Sequence, residues 1–375
     1  MPLYNTPDFP PPEPDRAGAR IWGALDAFVE GGAILGRKVA NSTFLEALFH
    51  ADPFDSYHFL LDNTGAAAAL REWAQERFPA LVRRKAIRIG SHARLPEHLA
   101  RIPYHCMHLS DGVTRFVQLA QLRNAVAPAL FPITGVTHSL SYQRFMPEYL
   151  KHVWSGVSAR DAVLVTSESV RLVMDRIFAG LTREYGLNGE RLARPRLEKI
   201  PLGVAVDHLP GPDERWDAAG PGTPGERNLA ARDMRLRFGL DREVLFLCLG
   251  RICPYSKMDI MPIFSALRRA ESLGLPKGSY AVALAGWAEE DQELPHALQR
   301  YAQSLGIRLV LCLRPSDEER RALYAASDVF LSPSDNIQES FGLAVAEAGA
   351  AGLPVIASDF DGYRDIVTHE QTGLL

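Results

Sequence analysis

The sequence predicts an α/β protein made of two Rossmann-like, doubly wound domains facing one another across a cleft. Three observations predict it. Short apolar runs alternate with amphipathic stretches along almost the whole chain, the pattern of parallel strands covered by helices on both faces. The 375 residues exceed one ordinary core, at about 150 residues per domain. The rhythm also breaks once, at "GPDERWDAAGPGTPGERNLAARD", a Gly-, Pro- and charge-rich stretch with no apolar period.

The order along the chain follows. Residues 1–20, "MPLYNTPDFPPPEPDRAGAR", read as an extended arm. The first domain spans 21–205, with strands expected at "YHFLLD", "KAIRIG", "YHCMHLS", "ALFPITGVTHS" and "DAVLVTS" and helices at "AAAALREWAQERF" and "VTRFVQLAQLRNAVA". Residues 206–240 read as linker or domain edge. The second domain, 241–375, restarts with "EVLFLCLGRI" and runs through four more strand candidates to "LPVIASDF". It stops on "TGLL", where another strand or loop would begin, and so reads as incomplete at its C-terminus.

Composition narrows the function. A net charge of −4 argues against a nucleic-acid-gripping protein, and Arg83-Arg84-Lys85 is a short, solvated turn. The four cysteines form no CxxC pair and lie mostly in apolar runs, which implies a reducing compartment. No signal peptide is visible. No apolar run reaches the roughly 18–20 residues of a membrane span. A cytoplasmic location is expected, with peripheral membrane contact left open.

In open α/β sheets ligands bind beyond the carboxyl ends of the strands. "DVFLSPSDNIQESFGLAVAEAGAAG" ends a strand near Ser332–Ser334 and starts a helix near Phe341-Gly342, so Asp335–Ser340 is a loop on that edge. The unpaired amides at the helix start can hold an anion. Glu339 precedes the helix and Glu347 lies eight residues on, about 12 Å along and about 80° around if the whole stretch were helical. Taken singly, these acids could be one favouring the helix dipole and one facing solvent. Glu347, however, sits in an otherwise apolar helix and needs a partner. "LFLCLGRICPYSKMD" supplies countercharge on the same edge: the strand ends at Leu249-Gly250, and Arg251 and Lys257 follow.

Together "GRxxxxxK", "SDEERRALYAASDVFLSPS", Glu339 to Glu347 and "KIPLGVAVDHL" resemble the retaining GT-B glycosyltransferases, glycosyltransferase family 4, marked by an E-x7-E signature. The likeness covers roughly residues 198–375 and is looser in the first domain. It implies that Arg251 and Lys257 bind the pyrophosphate of a nucleotide-sugar donor. Gly250 and the amides of Phe341, Gly342 and Leu343 would border the donor. Glu347 would hold the ribose and Glu339 the sugar. In this sequence Met258 follows Lys257 where many members have Gly, and "DFDGYRD" replaces a Gly-Gly-x-Pro-Glu stretch. Asp359-Phe360-Asp361 spells DxD, a metal–nucleotide pattern elsewhere, but the family works without metal, and none is expected here, nor any cofactor.

The first domain is the acceptor side. "EGGAILGRK" offers Gly31, Gly32 and Gly36 entering a helix, and the resemblance implies that Gly36 borders the cleft. His138 follows a strand end; a capped core imidazole explains it as sequence, whereas the resemblance implies a sugar contact. Asp111 and Ser167 read as helix caps, the former for a helix beginning near Thr114. Arg171, one turn into its helix, is within reach of an acceptor.

The expected activity is transfer of a sugar from a nucleotide-diphosphate sugar to a saccharide, lipid or small-molecule hydroxyl, with retention and without metal. The alternatives are a GT-B sugar phosphorylase, a nucleotide-sugar epimerase, or an inactive nucleotide-sugar-binding protein.

Overall fold

The computed structural model describes residues 18–29, 36–187, 192–207, 209–211, 229–255, 257–288, 292–337 and 339–375. Most of the expected N-terminal arm lies outside these, as do Gly31, Gly32 and the centre of the expected linker. The chain divides into two compact units, Met1–Gly203 and Val204–Leu375.

The first unit runs β1 (Ile21–Ala24), α1 (Gly36–Ala51), β2 (Ser56–Leu61), α2 (Thr64–Arg77), α3 (Pro79–Arg83), β3 (Ile87–Ser91), α4 (Leu95–Arg101), β4 (Cys106–Leu109), α5 (Phe116–Val126), β5 (Ile133–Val136), α6 (Met146–Trp154), β6 (Ala162–Val165), α7 (Glu168–Glu184) and β7 (Arg196–Lys199). Its strands form one seven-stranded sheet, ordered β3-β2-β1-β4-β5-β6-β7, with every pairing parallel. Both faces are covered. Along β2, Tyr57, Phe59 and Leu61 point into a core shared with Trp22 and Phe49. Leu60 joins Met107, Phe116 and Ile133 on the other face. That is the period of two of an extended chain.

The interior strand β1 escapes sequence reading. It has four residues, one of them Gly23, too few for a periodic signal. Its place between β2 and β4 is fixed by tertiary pairing.

The second unit runs α8 (Leu229–Arg237), β8 (Val244–Arg251), α9 (Met261–Ser272), β9 (Tyr280–Trp287), α10 (Leu294–Ser304), β10 (Leu309–Leu313), α11 (Asp317–Ala326), β11 (Val329–Ser332), α12 (Leu343–Ala350), β12 (Val355–Ala357), α13 (Tyr363–Ile366) and β13 (Gly373–Leu374). The sheet order is β10-β9-β8-β11-β12-β13, again all parallel. Alternation along β9 separates two faces. Ala281, Ala283 and Ala285 are small enough for close approach by the layer containing α8, α11 and α12. Tyr280, Val282 and Leu284 meet Ile263, Phe264 and Leu298 of α9 and α10.

Residues 229–240, expected as linker or domain edge, belong to the second unit. The helix α8 buries Ala231 and Met234 in the core that holds Leu323 and Tyr324. Arg235 is also buried, donating to the carbonyls of Ala326, Asp241 and Glu243. A buried arginine bound to backbone carbonyls looks, in sequence, like a solvated charge, which is why this stretch resembled linker.

Candidate functional site

The second sheet reverses its strand order between β8 and β11, which pair at Val329↔Phe246 and Phe330↔Leu247. A doubly wound sheet opens a crevice at such a reversal, outside the carboxyl ends of its strands. Arg251 closes β8, and the loop carrying Glu339 leaves β11 beside it. The two loops are tied together: Ser334 Oγ donates to the Lys257 carbonyl at 2.6 Å and Asn336 Nδ2 to the Tyr255 carbonyl at 2.7 Å. Beneath them β8 and β9 end in close contact. A Cβ on Gly286 would stand 1.7 Å from the Gly250 carbonyl oxygen, and Gly286 has a φ of +137°, so only glycine fits there.

Four of the residues singled out by sequence are brought together here. The Lys257 ammonium pairs with the Glu339 carboxylate, their side chains 17% and 13% exposed. Burial, with the neighbouring Arg251 guanidinium, pushes the Lys257 ammonium down to about 8, while Glu347 pulls it upward. A single lysine therefore feels both glutamates of the motif.

The stretch between them is not one helix. Gly342 caps α12 in the left-handed conformation, with φ 107° and ψ 54°, and the helix starts at Leu343, slightly later than expected. A Cβ on Gly342 would lie 2.4 Å from the Tyr363 ring, which is anchored by a 2.6 Å hydrogen bond between Tyr363 and Ser332. Among the described residues no backbone acceptor is found for the amides of Phe341, Gly342 and Leu343, as expected at a helix start.

Glu347 is buried at 5% exposure, and the partner its burial requires comes from α11. Arg320 Nη2 donates to Oε2 at 3.0 Å and the Tyr324 hydroxyl donates to the same oxygen at 2.8 Å. Sequence reading missed Arg320 and Tyr324, although their spacing of four places them on one helix face. It also missed Tyr363 and Gly286, for which only tertiary contact gives a signal.

Asp359 accepts from Arg364 Nε at 2.6 Å in an exposed pair. Among the described residues no group of three or more His, Cys, Asp or Glu side chains is placed to hold a metal ion.

In the first unit Gly36 is the first residue of α1 and is exposed. His138 lies just beyond β5, its Nε2 3.0 Å from Asn41 Oδ1 of α1. Burial and the nearby Arg37 push this imidazole down to about 4, against a hydrogen bond with the Ser110 backbone. The ring is neutral at physiological pH and joins α1 to the ends of β4 and β5. Asn41, itself 2% exposed, had no sequence signal. Asp111 caps a turn, accepting from the Val113 amide at 2.8 Å and the Thr114 hydroxyl at 2.7 Å. The helix itself begins at Phe116, two residues later than expected. Ser167 accepts from the Val170 amide and caps α7. Arg171 forks onto Glu168 in an exposed ion pair.

Among the described residues no helix is long and apolar enough to cross a membrane.

Comparison with known proteins shows what this chain is similar to in sequence and in fold. The family model described as "Glycosyl transferases group 1" matches residues 241–375. The chain is 38% identical over 181 residues to a D-inositol 3-phosphate glycosyltransferase of Rhodococcus erythropolis, a match covering 46% of this chain and 39% of that protein. It is 34% identical over 224 residues to the enzyme of that name from Geodermatophilus obscurus, covering 57% of this chain and 44% of that protein. These matches thus span less than half the length of the curated relatives. Among solved structures, Anabaena Alr3699/HepE in complex with UDP superposes with a TM-score of 0.62 at 14% identity, over 95% of this chain and 85% of that one. A glycosyltransferase from Rickettsia africae gives 0.58 at 14% identity, over 95% and 83%. Likeness at that identity is one of fold. The chain is therefore similar to the glycosyl transferases group 1 family over residues 241–375, and its two parallel-sheet domains have the fold of solved glycosyltransferases.

Proposed function

We propose that this chain is a glycosyltransferase that moves a sugar from a nucleotide-diphosphate sugar to a hydroxyl acceptor, with retention of configuration and without a metal ion. The observation that carries the reading is the convergence at one sheet edge of Arg251, Lys257, Glu339 and the buried Glu347, beside the N-terminus of α12. Two cations and a run of amides suit a diphosphate. Two carboxylates suit the polyols at its ends. The family match over this same region supports the reading.

In this mechanism Arg251, Lys257 and the α12 amides stabilise the charge that grows on the leaving diphosphate. Glu339 orients the sugar and Glu347 the ribose. The acceptor oxygen bonds to the anomeric carbon on the face the diphosphate leaves. The carbon–oxygen bond to the β-phosphate breaks, and the acceptor proton passes to the departing phosphate oxygen. No protein nucleophile is required. The acceptor side of this reading includes Gly36 and His138 of the first domain.

The test incubates the whole chain with UDP-, GDP- and ADP-sugars and a panel of acceptors that includes D-inositol 3-phosphate, with and without EDTA. The product's anomeric configuration is read by NMR. Transfer with retention, unaffected by EDTA, is expected. An inverted product or abolition by EDTA contradicts the mechanism. Donor isomerised without acceptor indicates an epimerase, and sugar phosphate formed from glycoside and phosphate indicates a phosphorylase.

A further inference from the structure

Glu347 is held asymmetrically. Both groups that bind it, Arg320 Nη2 and the Tyr324 hydroxyl, donate to Oε2. Among the described residues no hydrogen bond to Oε1 is found. A carboxylate has about four lone-pair sites across its two oxygens, and an arginine whose role is to bind a carboxylate commonly forks across both. An ion pair serving only to join α11 to α12 would gain little over apolar residues of similar size. Here the surroundings are rigid as well: Tyr324 is fully buried and stacks on Phe330 at 6.3 Å, and the Arg320 side chain is 13% exposed. Burial holds the Tyr324 hydroxyl in its protonated, donating form.

We infer that Arg320 and Tyr324 are positioning residues for Glu347: by occupying Oε2 they fix the carboxylate's rotation and reserve Oε1 for vicinal hydroxyls of a bound ligand. Resting on the reading of Glu347 above, that ligand group is the ribose of the donor nucleotide. The arrangement acts on binding of the nucleotide and makes no contact with the reacting carbon. It therefore raises the donor KM when disturbed and leaves kcat nearly unchanged. It also selects ribonucleotides, because a deoxyribose offers Oε1 one hydroxyl fewer.

The test measures Kd for whichever of UDP, GDP and ADP binds the whole chain, and for its 2′,3′-dideoxy form, in wild type, Tyr324→Phe, Arg320→Gln and Glu347→Gln. Each of the first two substitutions is expected to weaken the ribonucleotide about 5- to 10-fold, the net worth of one ordinary hydrogen bond, and to leave the dideoxy form nearly unaffected. Arg320→Lys, which keeps the charge, recovers part of the loss. Equal weakening of both ligands would show that Arg320 and Tyr324 only pack, and would overturn the inference. If Tyr324→Phe fails to fold, the Arg320 pair decides. Glu347→Gln separates the two levels. If it weakens the ribonucleotide selectively while the α11 variants weaken both ligands equally, the positioning role alone fails. If it weakens both ligands equally, Glu347 does not hold the ribose and the reading beneath fails.

Discussion

At the scale of single residues the site depends on the protonation of Lys257 and on glycines that let loops touch. Burial and Arg251 lower the Lys257 ammonium to about 8, so in the free protein its charge is lost as pH rises through that value. Donor kcat/KM, which reports the free enzyme, is expected to fall above pH 8, and Lys257→Ala should remove that limb of the profile. The same substitution should lower turnover by about 100-fold or more, the cost of removing one preorganised group from a developing charge, while circular dichroism stays unchanged. At Gly342, alanine would combine a left-handed φ with a Cβ 2.4 Å from the Tyr363 ring. Gly342→Ala should cost on the order of 1–3 kcal/mol in urea unfolding. At Gly349, by contrast, a Cβ would meet nothing within 4 Å, and the φ lies outside the left-handed region. Gly349→Ala should therefore stabilise α12 by about 0.5–1 kcal/mol.

At the scale of elements the strand order places the site. Lys257 and Glu339 are far apart in sequence, and they pair because β8 and β11 are neighbours at the reversal of the sheet. Much of this was legible. β8, β11, the loop after each and the glutamate spacing all carry local signals: apolar runs, a glycine and isolated charges in apolar surroundings. What was not legible has a physical reason in each case. The strand β1 is too short to show a period and is specified by its neighbours. The helix α8 hides a core arginine in a charged stretch. Gly286 matters only because β9 ends against Gly250, a contact between strands distant in sequence. Gly286→Ala is expected to displace the backbone that carries Arg251. It should thus weaken nucleoside diphosphate binding in calorimetry more than Gly349→Ala, which touches nothing.

At the scale of the molecule the two domains differ in how they are held. The first contains an ion pair with no exposed surface, Arg123 forked onto Asp161 at 2.6 and 3.0 Å. The Asp161 carboxylate also accepts the amides of Ile133 and Ser158. Removing one side of such a pair leaves a buried charge, so Asp161→Asn should destabilise the first domain by about 3–5 kcal/mol. This domain also buries His58, His108 and His138, whose imidazoles burial pushes from the ordinary 6.5 to about 3, about 3 and about 4. Unfolded, each binds a proton near 6.5, while the folded forms stay neutral until pH 3–4. Their contribution to stability is complete above pH 6.5 and declines as pH falls below it, by about 1.4 kcal/mol per pH unit for each histidine. Acid titration followed by calorimetry should therefore lower the melting of the first domain between pH 6.5 and 4. Replacing His58 and His108 by apolar residues should flatten that dependence. The central claim concerns the second domain, and calorimetric titration of the whole chain with UDP, GDP and ADP at pH 7 tests it most directly. At least one nucleoside diphosphate should bind with one site per chain and weaken about tenfold or more in Arg251→Ala and Lys257→Ala, but not in Arg364→Ala. Failure of all three ligands to bind, or binding that survives both substitutions, would contradict the assignment of this sheet edge as a diphosphate site.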